Sequence, residues 1–106
     1  MRQIEPKEVE LIEFLAKAAG VCLSLYEKQP VWVVNPQMKS LRADYCPKGC
    51  RVFALISYQF DDLDNVPVVV SLLLTKDKRF GELDFWKVDD TPLMALPHST
   101  RDLFEC

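Results

Sequence analysis

Glycine, histidine and long apolar runs are all scarce in this chain, and each scarcity closes off a class of function. With only three glycines there is no loop to cradle a phosphate, and neither G-x-x-x-x-G-K-[ST] nor G-x-G-x-x-G occurs. His98 is the single histidine. It follows Pro97 and precedes a short tail, so a Ser–His or Cys–His arrangement lacks a well-placed base. No apolar stretch approaches the roughly 20 residues that span a bilayer, and MRQIEPKEVE lacks the apolar core of a secretory signal. Cytoplasmic residence is therefore expected, with Cys22, Cys46, Cys50 and Cys106 as free thiols. Repeats and low-complexity tracts are missing as well.

An excess of one charge is also absent. The formal net charge is -3 with acids and bases interspersed, which leaves no concentrated basic surface for nucleic acid. A basic protein partner is permitted but not demanded. With 49% apolar and 27% charged residues, the chain has the balance of a globular protein, and residues 1–106 are expected to form one domain.

What is present reads as α+β. A helix is predicted over Glu5 to Ala19: Pro6 suits its first position, Val9, Ile12, Ala16 and Ala19 recur at helical spacing, and Gly20 stops it. Val21 to Lys28 alternates like a strand but fits a short helical turn equally well. Val31 to Val34 is a brief β-prone run, closed by the turn signal Asn35-Pro36. Strands follow at Met38 to Tyr45, Arg51 to Phe60, Val66 to Leu74 and Phe80 to Val88. Val66 to Leu74 is apolar on both faces, as a central strand would be. Leu93 to Leu96 is a short apolar anchor, and Ser99 with Asp102 could cap a last turn. The expected architecture is an N-terminal helix packed on a four-stranded antiparallel meander, with hairpin loops at 46–50, 61–65 and 76–79.

Few residues suggest chemistry. Cys46 and Cys50 could offer two zinc ligands, but a tetrahedral site needs four, and Cys22, Cys106 and His98 show no paired spacing. The acidic turn from Asp61 is not a calcium loop, because its sixth and twelfth positions are Val66 and Leu72. No metal, cofactor or catalytic residue is expected. Glu82 and Asp84 share one face of their strand at a spacing of about 7 Å. They could act as an acid–base pair, but no other residue builds a pocket around them, so a solvated face is the simpler reading. Trp86 lies on the same side. It is either an interface anchor among acids or a core residue under Leu93 to Leu96.

The expected function is non-catalytic protein binding. Asp61, Asp62, Asp64, Glu82 and Asp84 would steer a basic partner, and Trp86 would supply the buried anchor. One alternative is a small enzyme or ligand-binding domain that uses the Glu82/Asp84 face with Tyr58. Another is a structural homodimer that pairs an edge strand or covers Trp86 with its own copy.

GELDFWKVDDTPL, preceded by VPVVVSLLLTKDKRF and MKSLRADY, resembles a family of small bacterial proteins of unknown function. Their signature is E-L-D-[FI]-W-K-V-D-x-[ST]-P-L after a strand ending in S-L-x-L. Glu82 to Asp89 and Thr91-Pro92-Leu93 carry the likeness, and Glu8, Leu11, Ile12 and Leu15 agree in outline. Near Met38 the family shows a glycine-rich turn, where this chain has Asn35-Pro36-Gln37. The resemblance implies a compact α+β domain without an established activity. By analogy with other small acidic bacterial proteins, it points to an immunity protein that neutralises a toxin.

Overall fold

In the computed structural model all residues are described except Ser24, Tyr26, Glu27, Lys48 and Cys106. The helix begins as its sequence dictates. Pro6 opens α1 (Pro6–Ala18), and the Glu8 carboxylate accepts the Glu5 N–H at 2.8 Å. Gly20, at φ +75°, ends it. The Val21 N–H reaches back to the Ala16 carbonyl and the Gly20 N–H to that of Lys17, the paired bonds of a Schellman stop. Leu11, Ile12, Leu15 and Ala16 are buried, and Phe14 meets Tyr58 edge-on at 5.2 Å. No helix is long and apolar enough to cross a membrane, among the described residues.

Apart from a single 3-10 turn at Thr100–Asp102, capped by Ser99, the remaining regular structure among the described residues is one antiparallel sheet. Its strands are β1 (Arg2–Gln3), β2 (Pro30–Asn35), β3 (Ser40–Ala43), β4 (Val52–Asp61), β5 (Pro67–Thr75), β6 (Phe80–Lys87) and β7 (Phe104–Glu105). Their order is β1-β2-β3-β6-β5-β4-β7. This overturns the expected helix on a four-stranded meander. There are seven strands among the described residues, and β3 does not neighbour β4. It pairs instead with β6, Leu41 facing Leu83 and Arg42 facing Glu82. The loop expected at 46–50 is therefore no hairpin, since β6 and β5 lie between β3 and β4; Lys48 within it lies outside the described residues.

Side chains explain the choice. Ser40 Oγ accepts the Phe85 N–H at 2.9 Å, and the Tyr45 hydroxyl donates to the Phe80 carbonyl at 2.7 Å. Both ends of β3 are thus pinned to β6. Burial agrees, since Ser40, Leu41 and Ala43 are all sealed, whereas the first half of β4 is exposed or half-buried. Of the ambiguous stretch Val21 to Lys28, Ser24, Tyr26 and Glu27 lie outside the described residues, and the others are neither helix nor strand.

The sheet has a sealed face and an open one. Val31, Leu41, Leu83, Phe85, Val70 and Leu72 point to the sealed side, in one core with α1. Phe60 and Phe85 meet there at right angles, 6.3 Å apart. The alternate residues of the same strands form the open side.

Candidate functional site

Register arranges the open face in rows. One row runs Trp32, Arg42, Glu82, Leu73. The next holds Ser40 and Asp84, then Ser71 and Ser57. A third carries Trp86, Val69, Gln59 and Phe104. Trp32 is 41% and Trp86 49% exposed. Glu82 and Trp86 stand four positions apart along β6, about 13 Å at the usual rise. Two indoles therefore bracket two carboxylates on a face that no helix covers.

The two carboxylates differ. Glu82 accepts Arg42 Nε at 2.6 Å, both side chains half-buried, and this hydrogen bond raises the Arg42 pKa. Arg42 Nη1 also donates to the Pro47 carbonyl at 3.0 Å. Among the described residues no cation pairs with Asp84. Burial pushes its pKa up, the Ser40 hydroxyl at 3.1 Å opposes the rise, and the Glu82 charge adds to it. Ser57 and Ser71 satisfy each other at 2.7 Å. Trp86 Nε1 donates to Asp90 Oδ1 at 3.3 Å. Trp32, Val34, Arg42, Pro47 and Glu82 line a cleft of about 630 Å³. Beside it Cys46 is sealed, and burial, then contact with Cys50, holds its thiol up at about 11. No three His, Cys, Asp or Glu side chains converge as metal ligands, among the described residues.

The remaining acids proposed from the sequence lie elsewhere. Lys87 falls on the sealed side of β6, in phase with Leu83 and Phe85, and is 1% exposed. Its Nζ stands 2.8 Å from Asp62 and 2.7 Å from Asp64, with the Pro92 carbonyl at 3.4 Å. Asp62 is buried and also accepts the N–H groups of Leu63, Met94 and Ala95. Burial works against its charge, but Lys87 and these donors outweigh it and lower its pKa. Lys87 responds likewise: burial disfavours the ammonium, the bonds to Asp62 and Asp64 prevail, and its pKa is raised. Asp62 is thus spent inside the fold, and Asp64 shares its lysine. Asp61 is exposed in a separate cleft of about 420 Å³ beside Lys7, His98 and Asp102.

Of the six residues, then, the fold gathers Glu82, Asp84 and Trp86 on one face and leaves Asp61, Asp62 and Asp64 apart from it. Trp32, Ser40 and Arg42 belong to the same face and were not foreseen. An indole within a short β-prone run was the one signal available, since Arg42 and Ser40 are placed only by the β3–β6 register. No curated protein and no solved structure matches the chain. A family model does match residues 1–97, and the chain belongs to that family, a domain of unknown function, DUF6984.

Proposed function

We propose that this is a non-catalytic, cytoplasmic protein-binding domain that engages its partner through the open face of the sheet. The specific form of this reading is an immunity protein that covers a basic toxin surface. One observation carries it: two exposed indoles flank Glu82 and Asp84 on an uncovered sheet face. Aromatic anchors amid complementary charge are what binding hot spots are made of. The enzyme reading has less support, because Tyr58 packs against Phe14 on the helix side and Glu82 is tied to Arg42. A homodimer through the same indoles is the remaining alternative.

The test is affinity capture from the native cell with wild-type protein and the Trp32→Ala/Trp86→Ala variant, quantified by mass spectrometry. A partner held by the wild type should fall by about thirty-fold with the variant, as loss of a hot spot of about 2 kcal/mol implies. Equal recovery of every bound protein by both baits would sink the reading. A dimer in light scattering that the variant abolishes would favour the homodimer.

A further inference from the structure

We propose that the free edge of β2 takes up an extended segment of a partner protein as an added strand. This rests on the reading of the chain as a protein-binding domain and specifies how a partner docks. β1 meets β2 only at Arg2–Val31 and Gln3–Pro30. From Trp32 to Asn35, β2 therefore has a neighbour on one side alone, β3, among the described residues. The Asp44 N–H donates to the Pro30 carbonyl at 3.1 Å on the β3 side, and the Ile4 N–H to the Gln29 carbonyl on the β1 side. Main-chain groups alternate sides along a strand, so Val31 and Val33 face away from β3. Val31 has Arg2 opposite it. Val33 has no strand opposite, among the described residues.

The side chains there are unguarded as well. Trp32, Val33 and Val34 are 41%, 43% and 44% exposed, three consecutive apolar residues on an open edge with no lysine or proline among them. Edges of this kind pair with other strands. The edge also runs between two hollows. On the open face lies the cleft of about 630 Å³, with Trp32, Val34 and Pro47 as apolar walls and Arg42–Glu82 as a mutually neutralised floor. On the other face lies a cleft of about 260 Å³ with Pro36 and the charged rim of Glu5 and Lys39. Val33 lines both. An added strand sends alternate side chains to opposite faces, and pockets for alternate side chains give strand addition its specificity.

These hollows define the occupant. It is an extended peptide with an apolar or aromatic side chain for the Trp32 cleft and a polar one, a residue away, for the rim of Glu5 and Lys39. A second copy fits poorly. Four residues of open edge suit a peptide, whereas stable protein pairs bury about 1,200 Å² or more.

The experiment uses a displayed library of random linear peptides of about eight residues, a usual strand length, selected on the full chain. The best sequence is then synthesised and measured by fluorescence anisotropy. Val33→Pro removes an N–H that faces away from β3, while also fixing φ and changing the side chain between the hollows, and should weaken binding about ten-fold. The same peptide, N-methylated at the residue opposite Val33, should lose as much on the unaltered protein, which guards against a misfolded variant. Leu63→Ala, at an exposed position in the turn between β4 and β5, should stay within about twofold, as a substitution away from the contact. Failure to enrich any peptide, or affinity indifferent to both Val33→Pro and N-methylation, overturns strand addition. Light scattering that shows a dimer dissolved by Val33→Pro also overturns it, in favour of a second copy. Failure of the open-face reading is distinct: the native partner would then ignore Trp86→Ala while the peptide still obeyed Val33.

Discussion

Asp62 and Asp84 are both poorly hydrated carboxylates of one small sheet, yet their charges are treated in opposite ways. Asp62 closes the turn between β4 and β5 on the sealed side. There it meets an ammonium and three backbone N–H groups, and its pKa falls. Asp84 stands mid-strand on the open side with one hydroxyl partner and a like charge beside it, and its pKa rises. Burial alone therefore does not decide the state of an acid. The number of donors aimed at it does. A buried ion pair with every oxygen occupied holds the architecture together, whereas an under-supported carboxylate on an open face is available to an incoming cation.

The contrast can be broken most forcefully at Asp62. Asp62→Ala leaves Lys87 buried with a single, partly exposed carboxylate, and should lower unfolding free energy by about 3 kcal/mol in urea titrations. The pH dependence follows from the sign of the shift. A depressed acid contributes stability that is complete above its unfolded pKa of about 3.9 and is lost as pH falls through the folded value. Wild-type protein should therefore weaken on acidification over that window, and the variant should show a flatter profile. An unchanged urea midpoint would mean that Lys87 is satisfied by Asp64 and Pro92 alone.

A smaller effect is expected where the two regions meet. Ser40→Ala removes the acceptor for the Phe85 N–H and should cost about 1–3 kcal/mol. If β3 is held to β6 as described, hydrogen exchange at Phe85 should quicken more than exchange at Val70. Uniform acceleration would argue that the hydroxyl is no local pin.

The smallest effect sharpens the comparison, because its sign is reversed. Asp84 has a raised pKa, so the folded state holds its proton longer than the unfolded chain, and stability falls as pH rises from the unfolded value through the folded one. Asp84→Asn should therefore be slightly more stable than wild type at neutral pH, with the gain vanishing in acid. A loss of stability at neutral pH would show that the ionised form is structurally required.

Local pattern made some of this legible and hid the rest. Helical spacing with Pro6 and Gly20 at its ends marked α1, period-two alternation marked β4 and β6, and a run apolar on both faces marked β5. β1 and β7, at two residues each, are too short to carry any pattern. The β3–β6 pairing was out of reach for a different reason. Consecutive strands usually lie side by side, and the devices that override this habit join residues about forty apart, such as Ser40 with Phe85 and Arg42 with Glu82. Within the candidate site, the outward face of Glu82, Asp84 and Trp86 followed from alternation. The same alternation placed Lys87 inward beside Leu83 and Phe85, yet a charge at a core position makes sense only once Asp62 is brought to it from 25 residues away.

The carboxylate of Asp62 also binds the history of two distant stretches together. It moors Met94 and Ala95 to the ammonium that terminates β6. Detaching the tail beyond Pro92 would strip two N–H donors from Asp62 while Lys87 kept both its carboxylates, so the anchoring of the tail and the strength of the buried pair are coupled.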